Sequence, residues 1–366
     1  MREFHARNGE SLAGEDELGD QPASDAVECG VILCDACRIW YPVVSYVPVM
    51  FVFKTNLHES FERKFQAEFG NLTEYQMPNG RAERGEDNIQ SSFTEQWDLM
   101  DVEESELSFA YTHDDLVNLN RNAWLKWCVE QRQDIKKVLN VGCGQGRESL
   151  ALMEVLEDSE IFAVDMNWSL LQSGDAFKSN SRVHLVMASL FHLPFKDNEF
   201  DLVYSQGVIH HTYSTEMALE SISQKVHPGK FLFVWVYGLD DHLLFKGVIG
   251  LIARCKFTFV TAVRPVVSRF PGWLRNLFFT VFAVAVHPVV KMTRSRHRNK
   301  WALKNTDHIV RDGLSHRYAR RHSYNQMIEW MENLGFRIVA VQSASAFRNM
   351  FNKQLFGVGL TGKKDS

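Results

Sequence analysis

Apolar runs and helical patterns alternate through the middle of the chain. Uninterrupted runs of apolar residues predict buried strands, and apolar residues spaced three or four apart predict helices. In chain order the pattern predicts strand 137–141, helix 147–156, strand 161–165, helix 168–178, strand 183–187, strand 200–205, helix 215–226 and strand 231–237. Strands that alternate with helices indicate a parallel sheet with helices on both faces.

Two further strands are predicted near the end of the sequence. A helix at 324–334 precedes a sixth strand at 336–341, and 355–360 has the pattern of a seventh strand, expected at an antiparallel edge. About 100 residues separate the fifth strand from the sixth, far more than a usual connection. We expect this segment to be a large, mostly helical insertion. Its apolar stretch 276–290 falls short of the roughly 20 residues that span a bilayer.

A glycine turn follows the first predicted strand. Gly142, Gly144 and Gly146 stand two apart, directly before a predicted helix. Glycine lets a backbone approach a ligand closely, and the N–H groups at a helix start are free to donate to it. A dinucleotide-binding turn needs a further glycine at the position of Arg147 or Ser149. The spacing is therefore Gly-x-Gly-x-Gly and favours another nucleotide cofactor.

This turn resembles the first motif of the class I S-adenosylmethionine-dependent methyltransferases of the small-molecule, type 11-like kind. The predicted strands and helices after this turn also follow the order found in that family. The resemblance covers about residues 90–240 well and residues 320–362 more loosely. The resemblance implies an α/β fold with a Rossmann-like, seven-stranded methyltransferase sheet. It also implies S-adenosyl-L-methionine as the cofactor.

The strand ends and the resemblance together give a candidate cofactor site. Asp165 ends the second strand, where a carboxylate can accept both ribose hydroxyls. Ser189 stands where the family carries an acid that binds the adenine amino group, and Asn140 where many members carry Asp or Glu. The expected cofactor-binding residues are Asn140, Gly142, Gly144, Gly146, Asp165, Met166, Ser189, Leu190, Ser205 and Gln206.

Two histidines after the fourth strand are the candidate catalytic residues. A methyl group on a sulfonium is already activated, so positioning supplies most of the catalysis, and a base helps a hydroxyl or amine acceptor. We prefer His211 to His210 as that base, because His210 is expected beneath the loop; the alternative is that both are structural turn residues. The expected substrate-binding residues are Tyr213, Trp235, Tyr237, Arg317 and Tyr318. Of these, Arg317 and Tyr318 belong to an element that resembles a Pro-Arg-Tyr motif of similar methyltransferases.

The N-terminal part changes character at Cys29. Cys34 and Cys37 form a Cys-x-x-Cys pair before Tyr41-Pro42, which resembles the second half of a Trm112-like zinc ribbon. A complete ribbon needs two ligand pairs, so we expect a degenerate ribbon that survives as a β-hairpin, with no metal. In the helical segment that follows, Phe93 and Trp97 either close over the cofactor or lie in the core.

The predicted organisation is an acidic disordered tail at 1–28, a ribbon-like hairpin at 29–53, a linker with helices at 54–135, the methyltransferase core at 136–238 and 323–362, and a substrate cap at 239–322.

Composition and charge limit the kinds of molecule that this protein is expected to bind. The chain has 366 residues, 45% of them hydrophobic, so it can bury a large core. Its formal net charge of −5 gives no overall nucleic-acid footprint, and we expect no nucleic-acid partner. The six unevenly spaced cysteines and the polar first residues favour a cytoplasmic protein.

A cationic run follows the apolar stretch of the insertion. It comprises Lys291, Arg294, Arg296, Arg298, Lys300 and Lys304. Such a run is typical of a solvated face, but it also suits a phosphate, a carboxylate or an anionic membrane surface. The segment 276–304 is therefore the candidate for weak membrane-surface contact.

The sequence predicts an enzyme that moves a methyl group to a small, hydrophobic or biosynthetic acceptor by in-line displacement. The first alternative is a protein or RNA methyltransferase, although strand four ends in Ser205-Gln206-Gly207 and not in the Asn-Pro-Pro motif common in such enzymes. The second alternative is a non-catalytic S-adenosylmethionine-binding module, which the departures at Asn140 and Ser189 favour.

Overall fold

The structure is a computed structural model. It describes residues 4–8, 27–65, 74–98, 112–131, 133–239, 241, 247–293, 301–342 and 357–366. Within these ranges the chain forms a four-stranded sheet, a seven-stranded sheet and a helical cap.

The four-stranded sheet is N-terminal and antiparallel. Its strands, in spatial order, are β1 (Phe4–Asn8), β2 (Cys29–Cys34), β3 (Ile39–Val44) and β4 (Val47–Pro48). Within the tail 1–28 that the sequence predicts to be disordered, Phe4–Asn8 pairs with the open edge of β2 as a strand. Residues 1–3 and 9–26 of that tail lie outside the described residues. Among the described residues, no group of three or more His, Cys, Asp or Glu side chains is arranged to hold a metal ion.

The seven-stranded sheet forms the main body of the fold. Its strands are β5 (Lys137–Val141), β6 (Glu160–Asp165), β7 (Val183–Met187), β8 (Phe200–Gln206), β9 (Val226–Val236), β10 (Phe336–Val341) and β11 (Val358–Lys364), in the spatial order β10-β11-β9-β8-β5-β6-β7. Strands β5 to β9 are parallel. The seventh strand is antiparallel as expected but does not form the edge; it lies between β9 and β10.

Helices cover both faces of this sheet and build the cap. They are α1 (Asn56–Phe65), α2 (Glu86–Asp98), α3 (His113–Leu119), α4 (Lys126–Glu130), α5 (Arg147–Val155), α6 (Gly174–Phe177), α7 (Thr215–Ser223), α8 (Gly247–Val267), α9 (Gly272–Thr293), α10 (Leu303–Leu314) and α11 (Tyr324–Asn333). Serine hydroxyls cap two of them: Ser214 accepts from the N–H of Met217 at the start of α7, and Ser323 accepts from Gln326 at the start of α11. The helix expected at 168–178 begins as a 3₁₀ turn and continues as α6.

Two apolar cores lie on opposite faces of the sheet. Successive residues of a strand point to opposite faces, so Val138 joins one core while Leu139 and Val141 join the other. The small sheet is joined to the main one at its β7 edge, where the N–H of Met50 donates to the carbonyl oxygen of Met187 at 2.7 Å.

The insertion leaves the sheet and returns to it at one point. The N–H of Leu239 donates to the carbonyl oxygen of His322 at 2.9 Å, so the two ends of the insertion meet. Between them, α8, α9 and α10 pack around the buried Phe279 and Leu314. The apolar helix is longer than the expected 276–290. Its stretch Gly272–Met292 is, in the described part of the chain, the one helix long and apolar enough to cross a membrane.

Candidate functional site

The glycine turn between β5 and α5 leaves no space for side chains. Gly142 donates its N–H to the carbonyl oxygen of Val164 at 2.7 Å, which ties the turn to the end of β6. Gly142 and Gly144 have φ angles of 79° and 60°, in the left-handed region that favours glycine. A Cβ atom on Gly144 would lie 2.7 Å from the Trp97 ring. The turn therefore presents bare backbone to its surroundings.

A cavity of ≈ 350 Å³ lies at the carboxyl ends of the parallel strands, beside the glycine turn. Ligands of α/β sheets bind at this edge, and the volume is in the range of small-molecule sites. Of the expected site residues, all of which the structure describes, nine line the cavity: Gly142, Gly144, Asp165, Met166, Leu190, Gln206, His211, Trp235 and Tyr237.

Asp165 joins the glycine turn to the end of β6. Its Oδ2 accepts the N–H of Gly144 at 2.8 Å, and its Oδ1 accepts the N–H of Asn167 at 2.9 Å. Burial raises the pKa of Asp165, and these backbone donors offset part of that rise. The carboxylate is thus fixed at the cavity wall by the backbone on both sides.

Three expected cofactor residues lie behind the cavity wall. The Asn140 amide donates to Oγ of Ser149 at 2.9 Å and so links β5 to α5. Gly146 is the N-cap of α5, where a Cβ atom would meet the Phe177 ring at 2.8 Å. Ser205 is fully buried within β8. None of the three lines the cavity, so their contact with a cofactor stays a prediction.

Ser189 is also buried, and its hydroxyl donates to the carboxylate of Glu86. Glu86 begins α2, lines the cavity and is only 2% exposed. Its second oxygen accepts the N–H of Glu83 at 2.6 Å. Burial raises the pKa of Glu86, and the bond from Ser189 offsets part of the rise. Glu86 lines the cavity and Ser189 lies behind it, so the expected contact of Ser189 with the cofactor stays a prediction.

The two histidines after β8 occupy different environments. His211 lines the cavity, and its Nδ1 donates to the carbonyl oxygen of Tyr318 at 3.0 Å, which leaves Nε2 with the lone pair. Burial and the nearby His316 lower the pKa of His211 to about 3. His210 is fully buried against Tyr237, with 4.0 Å between ring centroids. His210 does not line the cavity, as the preference for His211 expected, and a catalytic role for either histidine stays a prediction.

Three expected substrate residues lie away from the cavity wall. Tyr213 packs on Phe191, with 5.3 Å between ring centroids. Arg317 is exposed, its N–H donates to Oδ1 of Asn88, and its guanidinium lies 5.7 Å from the centre of the Tyr318 ring. Tyr213, Arg317 and Tyr318 do not line the cavity, so their contact with a substrate stays a prediction.

Helix α2 closes over the cavity. Phe93 and Trp97, which the sequence left open between two interpretations, both line it. Gln145 donates to the carbonyl oxygen of Trp97 at 3.3 Å, and the N–H of Trp168 donates to Oγ1 of Thr94 at 3.0 Å. Helix α2 is therefore fixed to the glycine turn and to the segment after β6.

A carboxylate from the cap enters the same cavity. Asp312 on α10 lines the cavity and accepts a hydrogen bond from Nε2 of Gln96 at 3.2 Å, while His316 lies 3.9 Å away. Burial by itself raises the pKa of Asp312, but His316, His211 and His308 together hold it well below its usual range. Asp312 is therefore ionised. The sequence analysis missed it, because nothing in the pattern of the insertion marks this residue.

Glu148 is a third acid, after Glu86 and Asp312, that the sequence analysis missed. It is the second residue of α5, lines the cavity beside the glycine turn and accepts a hydrogen bond from the Tyr204 hydroxyl at 2.8 Å. Burial raises the pKa of Glu148 to about 7, although the bond from Tyr204 lowers it. The charge of Glu148 therefore changes near neutral pH.

Residues 139–234 match the family model described as a methyltransferase domain. This chain contains a class I methyltransferase domain. The matched segment runs from β5 into β9 and holds the glycine turn, Asp165 and the histidine pair. The enzyme family and the fold class predicted from the sequence are thereby confirmed. The likeness of the N-terminal sheet to a zinc ribbon stays a prediction.

Similar proteins share only part of their length with this chain. A demethylmenaquinone methyltransferase of Staphylococcus carnosus is 30% identical over 110 residues, which cover 29% of this chain and 46% of that protein. A tRNA U34 carboxymethyltransferase of Pseudoalteromonas atlantica is 29% identical over 106 residues, or 27% of this chain and 31% of that protein. The match spans less than half the length of these curated relatives.

Among solved structures, a 1,6-didemethyltoxoflavin-N1-methyltransferase of Burkholderia thailandensis, with bound S-adenosylhomocysteine, is 14% identical and has a TM-score of 0.45. The similarity covers 80% of this chain and 93% of that one.

Proposed function

We propose that this protein binds S-adenosylmethionine and transfers its methyl group to a small, apolar acceptor. One observation carries the proposal: the Asp165 carboxylate is held by the N–H of Gly144 at 2.8 Å, and both residues line the cavity. An acid at this strand end is suited to ribose hydroxyls, and a bare glycine turn admits a nucleotide. The methyltransferase-domain match supports the same cofactor.

The residues of the cavity fit this cofactor. S-adenosylmethionine, when bound, supplies a methyl group that its sulfonium already activates. Asp165 would accept the ribose hydroxyls, and Gly142 and Gly144, which have no side chains of their own, would let the backbone come close to the nucleoside. Glu86 would accept a hydrogen bond from the adenine amino group, in place of the acid that the family carries at Ser189.

The acceptor is proposed to lie against the aromatic part of the wall. Phe93, Trp235 and Tyr237 favour an apolar molecule, and the Asp312 carboxylate can accept a hydrogen bond from its hydroxyl or amine. Neutral His211 offers the lone pair of Nε2, but a pKa of about 3 makes it a weak base. Holding the acceptor in line therefore supplies most of the proposed catalysis.

Calorimetric titration with S-adenosylmethionine and with S-adenosylhomocysteine tests the cofactor. We expect both to bind at one site per chain, and absence of binding by both would overturn the proposal. Transfer of a labelled methyl group to quinone and phenol acceptors, compared with tRNA, tests the acceptor class. The similarity to the tRNA-modifying enzyme makes tRNA the second candidate, and labelled tRNA without labelled small molecules would favour it.

Glu86→Gln is expected to change base recognition. Its affinity for S-adenosylhomocysteine should fall about tenfold, because an amide accepts a weaker hydrogen bond than a carboxylate. S-inosylhomocysteine, which carries a carbonyl in place of the adenine amino group, should bind the variant at least as well as the parent. Glu83→Gln is the matched control, because Glu83 holds Glu86 through its backbone N–H, which this change keeps. Unchanged discrimination between the two bases in Glu86→Gln would show that Glu86 does not contact the base.

Glu148 should make the preference for the charged cofactor depend on pH. Its pKa of about 7 leaves the carboxyl neutral at pH 6 and ionised at pH 8. The ionised form attracts a sulfonium, so the affinity ratio of S-adenosylmethionine to S-adenosylhomocysteine should rise severalfold as the pH rises through 7. Glu148→Gln should flatten this profile. A ratio that changes equally in the parent and in the variant would assign the effect to another group.

A further inference from the structure

Two helices of the cap expose most of the large apolar side chains at the surface. Of fourteen such side chains in the described part of the chain, nine lie on α8 and α9. On α9, Trp273 is 72% exposed and Met292 is 70% exposed. Helix α9 contributes Trp273, Leu277, Val281, Val284, Val289 and Met292, and α8 contributes Leu251, Phe259 and Val266. A concentration of this kind on one surface marks an interaction site.

Three polar side chains of α9 are bound to neighbouring helices of the protein. Arg275 forms an ion pair with Glu95 of α2 at 3.0 Å, and Asn276 accepts a hydrogen bond from Arg311 of α10 at 2.8 Å. His287 hydrogen-bonds at 2.8 Å to a threonine hydroxyl on α10. A helix on a water-facing surface has the opposite arrangement, with apolar residues inward and polar residues outward. The outer face of α9 is therefore suited to an apolar medium.

The same part of the chain is strongly basic. Residues 242–306 contain twelve lysines and arginines and no aspartate or glutamate, although the whole chain has a net charge of −5. Arg254, Lys256 and Arg269 are exposed on α8 and at the turn before α9. Five more of the twelve lie between 291 and 300, at and after the end of α9. The sequence of the cap thus combines exposed apolar side chains with an excess of positive charge, which complements anionic lipid headgroups.

We propose that the outer face of α8 and α9 docks on an anionic membrane surface, with α9 parallel to that surface. The 22 residues of α9 extend about 33 Å, enough to cross a bilayer. Its inner face, however, is held by the buried Phe279 and by the Arg275–Glu95 ion pair. Docking in the headgroup region keeps these contacts and buries the apolar side chains, whereas crossing the bilayer would break them.

Flotation of the full-length protein with lipid vesicles tests this proposal without any cofactor or methyl acceptor. We expect binding to vesicles of phosphatidylcholine mixed with phosphatidylglycerol, weak binding to phosphatidylcholine alone, and loss of binding at high salt. Changing Leu277, Val281 and Val284 together to Gln should reduce binding at least about tenfold, because three apolar side chains no longer enter the lipid. Val339→Gln with Val341→Gln, on exposed positions of edge strand β10, is the matched control.

Three results would overturn the proposal. The first is equal vesicle binding by the α9 variant and the parent. The second is a parent that binds no vesicles but forms dimers that the α9 changes abolish, which would make this face an interface between two copies. The third is a protein that stays with the membrane in an alkaline wash, which would indicate a crossing helix. Failure of cofactor binding would leave the vesicle result unaffected, so the two proposals fail separately.

Discussion

Asp165→Ala is expected to weaken S-adenosylmethionine binding about 100-fold or more. The change removes the carboxylate that we assign to the ribose hydroxyls, and hydrogen bonds to a charged group contribute about 1.5–3 kcal/mol each. It also releases the N–H of Gly144, which Oδ2 holds at 2.8 Å, so the glycine turn loses an anchor. Isothermal titration calorimetry measures the affinity directly.

Two further variants separate binding from folding. Asp165→Asn keeps the size of the side chain and one acceptor oxygen, so it should bind more tightly than Asp165→Ala while remaining weaker than the parent. Asp175→Ala removes an exposed acid that pairs with Lys178 at 3.3 Å, and it should bind like the parent. If Asp165→Ala melts like the parent and binds the cofactor with the same affinity, the ribose assignment is wrong.

The strands of the main sheet could be predicted closely because a buried strand is marked by its own residues. Strands 137–141, 183–187 and 336–341 have the bounds that the apolar pattern predicts. The pattern carries less information on which strands pair. The place of β11 between β9 and β10 was missed, because pairing depends on distant segments and not on the local run of residues.

The contrast between local pattern and distant contacts also explains which of the candidate site residues line the cavity. Residues at strand ends were predicted to meet, and Asp165, Gln206 and Trp235 do line one cavity, because parallel strands end at one edge. Asn140 and Ser205 belong to the same strands but do not line the cavity. Successive side chains of a strand point to opposite faces of the sheet. In a strand that is buried on both faces nearly all residues are apolar, so the sequence does not show which side chain points to which face.

Glu86 and Asp312 could not be predicted, because they come from outside the sheet. Glu86 begins a helix before the first core strand, and Asp312 lies in the insertion. In the sequence, Ser189 in place of the family's acid favours the alternative of a non-catalytic binding module. In the structure the Ser189 hydroxyl holds the Glu86 carboxylate, so the missing charge is supplied by another element. A departure from a family motif is therefore better judged after the neighbours of that position are known.

Helix α2 connects the two halves of the site. Its Glu86 and Trp97 contact the sheet side of the cavity, while Glu95 pairs with Arg275 of the cap and Gln96 donates to Asp312. The acceptor side and the cofactor side are thus positioned by one rigid element. A change at Asp312 should consequently affect the acceptor and leave the cofactor in place.

Asp312→Asn is expected to lower methyl transfer about 100-fold with little change in S-adenosylmethionine affinity. The amide keeps the shape but loses the charge that would hold the acceptor hydroxyl or amine, at a cost of about 1.5–3 kcal/mol. Steady-state kinetics with the best acceptor of the panel, together with calorimetry on the same samples, checks both parts. The loss should be larger for acceptors that carry a free hydroxyl or amine than for those with a carbon nucleophile.

Asp307→Asn is the matched control, because Asp307 lies on the same helix and pairs with Arg311 at 2.7 Å. It should leave turnover close to that of the parent, so an equal loss in both variants would point to a disturbed α10. His211→Gln should cost less than Asp312→Asn, since a ring with a pKa of about 3 holds a proton poorly. If His211→Gln abolishes transfer and Asp312→Asn does not, His211 and not Asp312 is the polar group that controls the acceptor.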